Sequence, residues 1–364
     1  MISKILPNVA RAYGEINPNN KLNILVTGAA GYIGSHTAKY LLENGFNVIS
    51  VDNYELGNKE ASEELQKIAQ EQNAYFNSYD ADISERSVIA DILKKEDPSA
   101  VVHFAAYSQV AESVKNPYKY YINNTAKTTV LLEEMKKANI DKIVFSSTAA
   151  TYGMPESMPI KEGDPQKPIN PYGQSKLMIE NIMDDADKSN GLKSIRLRYF
   201  NVAGSSSDTR LGEEHNPETH LIPNILQAAL HQKNGEAGKP FKMFGNDYPT
   251  PDGTCVRDYI HVEDLARAHA LALNKLLAGG ESSVYNLGSG SGYSVKEVYD
   301  TTKKVTGIDI PLVVEGRREG DPPTLIASRE KAEKELNWRP EKSLEDMISS
   351  AWNWVLKNPW NKQK

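Results

Sequence analysis

The glycine-rich stretch Gly28-Ala-Ala-Gly31-Tyr-Ile-Gly34 constrains the fold of this chain more than any other feature. It follows Asn23-Ile-Leu-Val-Thr27, an apolar run without alternation that is typical of a buried parallel strand. Residues 35–44 then show helical spacing and end at Gly45. Closely spaced glycines let the backbone approach a pyrophosphate, which the free N–H groups of a helix start stabilise. The pattern therefore predicts a dinucleotide-binding strand–turn–helix unit.

The residues after this unit extend the prediction to a whole sheet. A second apolar strand, Asn47-Val-Ile-Ser-Val51, ends before Asp52, whose carboxylate can accept hydrogen bonds from a ribose diol and would repel a 2′-phosphate. NAD is thus favoured over NADP. Helical and strand patterns alternate through residue 104, which predicts an α/β fold with a doubly wound parallel (Rossmann) sheet and, towards the C-terminus, a smaller α/β substrate domain.

A helix start at Asn170-Pro171 carries the clearest chemistry. Tyr172 and Lys176 in Tyr172-Gly-Gln-Ser-Lys176 share one helical face. An ammonium about 5 Å from a phenol favours the phenolate and lowers its pKa by about two units at an effective dielectric near 20. The pair therefore has two interpretations, a Tyr172 that acts as a base near neutral pH or a Tyr/Lys pair on a solvated helix face, and the rest of the chain decides between them. Ser146, Ser147 and Thr148 end a preceding strand and offer hydroxyls to a substrate oxygen.

Composition narrows the function classes. The formal net charge of -6, without a basic block, argues against nucleic acid as the main ligand. A single cysteine, Cys255, excludes a disulfide framework and fits a reducing compartment. No apolar run approaches the roughly 20 residues of a membrane span, and residues 1–20, an N-terminal extension, lack a signal-peptide core. We expect a cytoplasmic protein without a membrane partner, and no motif predicts a metal centre.

Several motifs together resemble the extended short-chain dehydrogenase/reductase family. They are Thr27-Gly28-Ala-Ala-Gly31-Tyr-Ile-Gly34, Ser146-Ser-Thr148 and Tyr172-Gly-Gln-Ser-Lys176. Longer strings are similar to its UDP-hexose 4-epimerase branch: Ser146-Ser-Thr-Ala-Ala-Thr-Tyr-Gly153, Leu197-Arg-Tyr-Phe-Asn-Val-Ala-Gly204, Phe244-Gly-Asn-Asp-Tyr-Pro-Thr-Pro-Asp-Gly-Thr-Cys-Val-Arg-Asp-Tyr-Ile-His261 and Arg317-Arg-Glu-Gly-Asp321. The likeness runs from about Asn23 to Trp354.

The resemblance implies a site, residue by residue. Tyr172 would accept the proton, Lys176 would be its electrostatic partner, and Thr148 would bind the sugar O4 and relay its proton. The positions that align with NAD contacts, besides Tyr172 and Lys176, are Gly28, Gly31, Tyr32, Ile33, Gly34, Asp52, Asn53, Asp82, Ile83, Phe104, Ala105, Ala106, Ser108, Asn123 and Phe200. Those that align with UDP-sugar contacts, besides Thr148, are Asn201, Leu221, Lys242, Met243, Phe244, Arg257, Arg318 and Asp321, and Leu325 lies beside the hexose.

The resemblance also implies an activity and an organisation. The expected reaction is NAD-dependent 4-epimerisation of UDP-hexoses, UDP-glucose and UDP-galactose, by transient oxidation at C4 and return of the hydride. Residues 21–202, with 256–288 returning to them, would form the NAD-binding domain, and residues 203–364 mainly the nucleotide-sugar-binding domain. The family usually forms homodimers through a helical bundle, for which residues 117–137 and 172–187 are candidates.

Two departures from the family pattern bear on specificity, and two alternatives stay open. Leu325 replaces a bulkier Tyr of many relatives, which predicts acceptance of UDP-GlcNAc and UDP-GalNAc, whereas His220 replaces an Asn and receives no role. Ala149 and Ala150 stand where 4,6-dehydratases carry an acid/base pair, so that chemistry is excluded. A UDP-pentose or UDP-uronate 4-epimerase, or a noncatalytic NAD-sensing protein of the same fold, remains an alternative.

Overall fold

The computed structural model describes residues 21–236, 238–318 and 322–358. The predicted extension over residues 1–20 lies outside the described residues, as does Asp321. The strands are β1 Asn23–Thr27, β2 Asn47–Asp52, β3 Phe76–Asp80, β4 Ala100–His103, β5 Lys142–Ser146, β6 Lys193–Tyr199, β7 Asn201–Ala203, β8 Phe241–Phe244, β9 Val256–Arg257, β10 Tyr259–His261, β11 Ser283–Leu287, β12 Tyr293–Ser294, β13 Leu312–Glu315 and β14 Thr324–Leu325.

The α-helices pack around these strands. They are α1 Tyr32–Glu43, α2 Lys59–Glu71, α3 Arg86–Glu96, α4 Val110–Lys115, α5 Pro117–Tyr120, α6 Lys127–Lys137, α7 Pro171–Asn190, α8 Leu221–Asn234, α9 Val262–Leu277, α10 Val295–Thr306, α11 Glu330–Leu336 and α12 Leu344–Lys357. A π-helical turn, Tyr121–Ala126, joins α5 to α6, and a 3₁₀ turn, Ala149–Thr151, follows β5.

Seven strands form the central parallel sheet, in the order β11-β6-β5-β4-β1-β2-β3. Successive side chains of a strand point to opposite faces, so Ile24 and Val26 pack on one face and Leu25 on the other. The first face is covered by α1, α2 and α9, and the second by α3, α6 and α7. This doubly wound arrangement confirms the predicted Rossmann fold. Its strand order reverses between β1 and β4, where open sheets of this kind bind ligands.

A smaller α/β layer packs beside the sheet. Its hydrophobic core joins α8, α10 and α12, with Ile225, Val298 and Ile348 among the buried side chains. Only short strand pairings support it: β13 with β8, β10 with β7, and β9 with β12 and β14. Apart from α9 and β11, which return to the central sheet, the segment from β7 onwards is therefore positioned largely by loops rather than by a continuous sheet.

The helix predicted over residues 117–137 is interrupted by the π turn. Within this turn, Asn124 accepts a hydrogen bond from the Tyr107 backbone N–H (2.9 Å) and donates to the Tyr107 carbonyl (3.0 Å). The side chain thus holds the loop that follows β4 against the helix, which accounts for an asparagine in a poor position for helix propensity. Across the described part of the chain, no helix has the length and apolarity needed to cross a bilayer.

Candidate active site

One continuous cleft of about 2620 Å³ runs along the carboxyl ends of the sheet strands. We call its two sides the sheet wall, which lies within residues 28–34, 52–53, 82–83, 104–108, 123 and 146–176, and the loop wall, which lies within residues 200–236, 238–258, 318 and 322–325. Of the described site residues predicted from the sequence, all except Met243 line this cleft.

The glycine turn begins the sheet wall. Gly28 has φ +71°, and a Cβ there would lie 2.7 Å from the Ala105 backbone nitrogen at the end of β4. A Cβ on Gly34 would collide with the Gly28 carbonyl oxygen. Gly31 occupies the N-cap of α1, and among the described residues no side chain caps this helix end. The helix N-terminus therefore opens towards the cleft as a site for phosphate oxygens, next to Tyr32 and Ile33.

Acidic side chains follow β2 and β3. The buried Asp52 accepts hydrogen bonds from the backbone N–H groups of Ala30 and Tyr54, both at 2.9 Å. Each carboxylate oxygen retains acceptor capacity for a ribose hydroxyl. Asp82 accepts from Lys127 Nζ at 2.5 Å, and Asn53 donates to Asp82 at 3.3 Å.

The pKa values of the two carboxyls move in opposite directions. Burial raises the pKa of Asp52, and the two backbone hydrogen bonds only partly offset this effect. Burial also acts on Asp82, but the Lys127 ammonium and the hydrogen bonds from Ser84 together outweigh it and lower the pKa of that carboxyl. Ile83 lines the cleft beside both groups.

Two small residues, Ala105 and Ala106, follow β4 and leave room in the cleft where the strand order reverses. Phe104, Ala105 and Ala106 line the cleft, with Ser108 exposed at its edge. Asn123, in the π turn, also lines the cleft, and its amide donates to Asn124 Oδ1 at 3.2 Å. A π turn displaces one backbone step from the α-helical ladder and is common at functional sites.

The predicted catalytic trio lies at the carboxyl end of β5. Asn170 caps α7 by accepting from the Gly173 N–H (2.8 Å), and Pro171 occupies the first helical position, which confirms the predicted helix start. Tyr172 and Lys176 consequently share one helical face, and both line the cleft with Thr148. Lys176 Nζ donates to the Ser146 carbonyl at 3.0 Å.

The pKa shifts of this pair differ from the sequence-based expectation. Burial raises the pKa of Tyr172, and the Thr148 hydroxyl opposes this by hydrogen bonding. Burial lowers the pKa of Lys176 to about 7, with Glu180 acting in the opposite direction. The protein alone therefore does not favour the phenolate of Tyr172, because burial disfavours the charged forms of both Tyr172 and Lys176.

The three hydroxyls at the end of β5 have separate partners. Ser146 Oγ hydrogen-bonds the Tyr199 hydroxyl, and Ser147 Oγ donates to Glu180 Oε1 at 2.5 Å. Thr148 Oγ1 accepts from the Ala150 N–H at 3.1 Å and lines the cleft. Thr148 thus presents its hydroxyl to both Tyr172 and the cleft, while the hydroxyls of Ser146 and Ser147 are engaged by Tyr199 and Glu180.

A buried ion pair beneath the trio escaped sequence analysis. Glu180 lies one turn after Lys176, and Arg198 from β6 pairs with both of its carboxylate oxygens, at 3.0 Å through Nε and 2.5 Å through Nη2. Both side chains are at most 4% exposed. Arg198 outweighs burial and lowers the pKa of Glu180, so a full negative charge lies below Lys176. The spacing of Glu180 after Lys176 was the only signal in the sequence.

The loop wall holds its polar side chains through local contacts. Arg257 Nη1 donates to the carbonyls of Val256 (2.9 Å) and Pro322 (2.8 Å). The Arg318 guanidinium lies 4.0 Å from the Phe244 ring centroid. Lys242 pairs with Glu315 at 2.9 Å, and Asn201 donates to the Asp258 carbonyl at 3.0 Å. The remaining residues of this wall that were predicted to contact ligand and that line the cleft are Phe200, Leu221 and Leu325.

The side chain of Met243 does not line the cleft. Residues alternate along β8, and Met243 packs into the buried core of the smaller layer, 4% exposed, while Lys242 is exposed beside the cleft. Its predicted place in the site came from the likeness of the Lys242 to Phe244 stretch as a whole. Because successive side chains of a strand point to opposite faces, only every second side chain of such a stretch can face the cleft.

Asp258 organises this wall and was not singled out from the sequence. One carboxylate oxygen accepts from the backbone N–H (2.5 Å) and hydroxyl (2.7 Å) of Ser289. The other accepts from the N–H groups of Ala327 (3.0 Å) and Gly290 (3.4 Å). Asp258 thus joins three chain segments and positions β14, which includes Leu325.

A second cluster of titratable groups, also missed, lies in the loop before α8. We call it the loop cluster; its members are Glu213, His215, Glu218 and His220. Their donor atoms all lie within 4.8 Å of one another. Burial alone would lower the pKa values of the two imidazoles, but the carboxylates raise them to about 9 for His215 and about 10 for His220. The repeat Glu-x-His-x-x-Glu-x-His was the available signal.

Comparisons with known proteins agree with this geometry. The model of the NAD dependent epimerase/dehydratase family matches residues 24–288. The UDP-glucose 4-epimerase of Lactobacillus helveticus is 48% identical over 339 residues, which are 93% of this chain and 98% of that protein.

Two solved structures illustrate the likeness in three dimensions. The UDP-glucose 4-epimerase of Bifidobacterium longum, in complex with NAD+ and UDP, superposes with a TM-score of 0.85 at 41% identity, covering 93% of this chain and 99% of that one. The UDP-Glc/GlcNAc 4-epimerase of Campylobacter jejuni superposes with a TM-score of 0.78 at 41% identity, covering 92% and 99%.

Proposed function

The chain belongs to the NAD dependent epimerase/dehydratase family, and we propose that it interconverts UDP-glucose and UDP-galactose by inverting C4 of the sugar. The observation that carries the proposal is the joint placement of Thr148, Tyr172 and Lys176 at the end of β5, in one cleft with the glycine turn. Relatives named UDP-glucose 4-epimerase match nearly the whole chain, so the likeness includes both walls of the cleft.

NAD is the cofactor, and the residues of the sheet wall fit it. The uncapped start of α1 suits a pyrophosphate, and the buried Asp52 carboxylate suits a ribose diol. We assign this role to the domain formed by residues 21–202 with 256–288, because β1 to β6 and β11 share one sheet. Residues 203–364 would mainly bind the nucleotide sugar. When bound, NAD supplies a reversible hydride acceptor for the sugar C4 and, in its oxidised form, a positive charge.

The side chains of the protein would transfer one proton, that of the sugar 4-hydroxyl. Thr148 Oγ1 would accept the proton of the sugar 4-hydroxyl and pass its own to Tyr172. Tyr172 must be a phenolate to receive that proton, and the positive charges of bound NAD+ and of protonated Lys176 would favour this form. The same residues return the proton after the 4-ketose has turned over in the cleft. Arg257 and Arg318 would bind the diphosphate, since a guanidinium suits paired phosphate oxygens.

The test uses purified protein without added NAD. We expect UDP-galactose to be converted to UDP-glucose until equilibrium, with NAD released when the protein is denatured. UDP-xylose and UDP-glucuronate serve as comparison substrates and should react more slowly than the hexose. If NAD is released but neither UDP-hexose reacts, the fold assignment holds and the proposed activity is wrong.

We extend the substrate range to N-acetylated UDP-hexoses because of Leu325. This side chain packs with Phe200 against the small core of Ala149, Tyr152 and Ile160, and it lines the cleft. Leucine is smaller than the tyrosine of many relatives and leaves space beside the hexose. We expect wild type to epimerise UDP-GlcNAc and Leu325→Tyr to lose that activity while retaining UDP-glucose turnover. A wild type inactive on UDP-GlcNAc would contradict the extension.

We also propose that two copies form a dimer through α4, α5 and the π turn together with α7. These elements pack on one another and present exposed apolar side chains, with Tyr118 79% and Ile122 61% exposed. An apolar surface of this kind is suited to a second copy of the chain. Light scattering should give a dimer for wild type and a monomer for Ile122→Glu. Leu356→Glu, at an exposed apolar position on α12, is the matched control and should stay dimeric.

We assign the protein to the cytoplasm. The support is Cys255, which is the single cysteine of the chain and is a buried free thiol, as a reducing compartment permits. Fractionation of cells that express the full chain should recover it with cytosolic markers, and recovery with membrane or secreted fractions would contradict the assignment.

A further inference from the structure

We propose that the loop cluster of Glu213, His215, Glu218 and His220 binds one divalent transition-metal ion, with Zn²⁺ as the best match. This site is separate from the residues assigned above to NAD and to the UDP-sugar. It does not depend on the proposed epimerase activity.

The spacing of the donor atoms fits a single ion. His220 Nδ1 lies 2.9 Å from Glu213 Oε1 and 3.1 Å from Glu218 Oε1. His215 Nδ1 lies 3.3 Å from Glu213 Oε1 and 3.7 Å from Glu218 Oε2. Ligands about 2.0–2.1 Å from a tetrahedral zinc ion are themselves separated by roughly 3.3 Å. These four separations bracket this value, and all the donor atoms lie within 4.8 Å of one another, so an ion at the centre would draw any wider pairs together.

Two buried atoms of the cluster point to a missing partner. His215 Nδ1 and Glu218 Oε2 are enclosed, yet among the described residues neither forms a hydrogen bond. The Glu218 side chain is only 4% exposed, so solvent does not substitute for a protein partner. Leaving a buried carboxylate oxygen or imidazole nitrogen without a partner is costly, and a central cation would engage both atoms at once.

The donor set selects the class of metal. Two imidazoles and two carboxylates suit zinc and neighbouring transition ions, whereas calcium and magnesium prefer oxygen ligands throughout. A divalent cation would also neutralise Glu213 and Glu218, whose side chains are at most 8% exposed. Outer-shell support is present, because the N–H groups of Thr219 and His220 both donate to Glu218 Oε1 at 2.8 Å.

The position of the loop cluster defines what the ion would do. Leu221 follows His220 directly and begins α8 on the loop wall. On the other side, the ring of Tyr32, from the glycine turn, meets the His215 ring edge-on at 6.3 Å between centroids. A bound ion would therefore hold this part of the loop wall in place against the glycine turn. Its role is structural, since all four ligand positions are filled by the chain.

The competing arrangement places protons rather than a metal in the cluster. Two imidazolium ions could also balance Glu213 and Glu218, because the carboxylates raise the pKa values of both histidines. The two arrangements differ in metal content and in optical properties. A protonated cluster holds no zinc at equilibrium and gives no visible spectrum with cobalt.

The experiment uses the full chain without a histidine tag. The protein is treated with a chelator, incubated with Zn²⁺, desalted, and assayed for bound metal by mass spectrometry. We expect about one equivalent of Zn²⁺ per chain, a higher melting temperature with Zn²⁺, and a tetrahedral visible spectrum with Co²⁺. A wild type that retains no zinc and shows no thermal shift would overturn the proposal.

Variants locate the site. His215→Asn with His220→Asn should abolish retention of Zn²⁺, and Glu218→Gln should weaken it at least about tenfold. His231→Asn is the matched control, since His231 also lines the cleft but lies outside the loop cluster. It should bind zinc as wild type does. Equal zinc retention by wild type and by the double histidine variant would contradict the assignment, and bound NAD serves as the check that each variant is folded.

Discussion

The two walls of the cleft are positioned by different physical means. On the sheet wall, parallel strands in fixed register bring the ends of β1, β2, β4 and β5 to one edge. On the loop wall, strands of two to four residues leave much of the placement to side-chain hydrogen bonds, above all those of Asp258. A sequence motif on the sheet wall therefore predicts the positions of its side chains. A motif on the loop wall predicts only which residues lie near the cleft.

This difference predicts separable failures. Substitutions on the sheet wall should affect NAD retention or proton transfer while leaving the UDP-sugar affinity intact. Substitutions on the loop wall should raise KM for the UDP-sugar while NAD stays bound. The following variants test that separation, in order of decreasing expected effect.

Tyr172→Phe should have the largest effect. Removal of the hydroxyl abolishes proton transfer, so we expect kcat for UDP-galactose to fall about 10³-fold, or about 4 kcal/mol. KM and bound NAD should change little. Tyr75→Phe, at an exposed tyrosine outside the cleft and outside the proposed dimer surface, is the control and should match wild type. A Tyr172→Phe enzyme within tenfold of wild type would remove Tyr172 from the proposed role.

Gly34→Ala tests the close approach at the glycine turn. The new Cβ would collide with the Gly28 carbonyl, so we expect a loss of about 3 kcal/mol in the free energy of unfolding and loss of bound NAD. Gly163→Ala is matched, because its Cβ would meet nothing within 4 Å. Denaturant unfolding and NAD content measure both effects. Retention of NAD by Gly34→Ala would show that the turn tolerates more than its geometry indicates.

Asp258→Asn tests the loop wall. An amide would place donors against backbone N–H groups that now donate to the Asp258 carboxylate, which should cost about 2 kcal/mol of stability. We expect KM for UDP-galactose to rise about tenfold with NAD content unchanged. Asp185→Asn, at an exposed carboxyl on α7, should leave both quantities unaltered. Loss of NAD in Asp258→Asn would mean that the two walls are not independent.

Lys176→Met should give the smallest effect of the series, a change in how the free energy of unfolding depends on pH. Because burial lowers the Lys176 pKa to about 7, the unfolded chain binds more protons above that pH, and stability rises with pH. The contribution of Lys176 between pH 7 and pH 8 is about 1 kcal/mol. Urea unfolding should therefore show that the free energy of unfolding increases more between pH 7 and pH 8 for wild type than for Lys176→Met. Identical pH dependence would place the Lys176 pKa outside that window.

The sheet wall was largely predictable from the sequence. Unbroken apolar strands, the glycine turn and the Asn170-Pro171 helix start specified the fold and the location of Tyr172 and Lys176, because each is a local pattern. The direction of the Tyr172 pKa was not predictable, since desolvation depends on what packs around the phenol. The Glu180 pair with Arg198 needs knowledge of which helix face meets β6.

The loop wall was predictable only by likeness. Met243 lies in the core because β8 alternates, which a contiguous motif does not reveal. Asp258 joins segments far apart in the chain, so no local pattern identifies it. His220 received no role because the sequence did not show that its ring meets His215 and Glu213, although the regular spacing of the loop cluster was a signal that could have been used.

Isotopic labelling tests the central claim most directly, that hydride leaves C4 of the sugar and returns to it within one binding event. UDP-galactose carrying deuterium at C4 is incubated with the enzyme in ordinary water without added NAD. We expect the UDP-glucose formed to retain the label at C4. Loss of the label to solvent, or formation of UDP-glucose only when NAD is supplied and exchanged, would contradict the proposed mechanism.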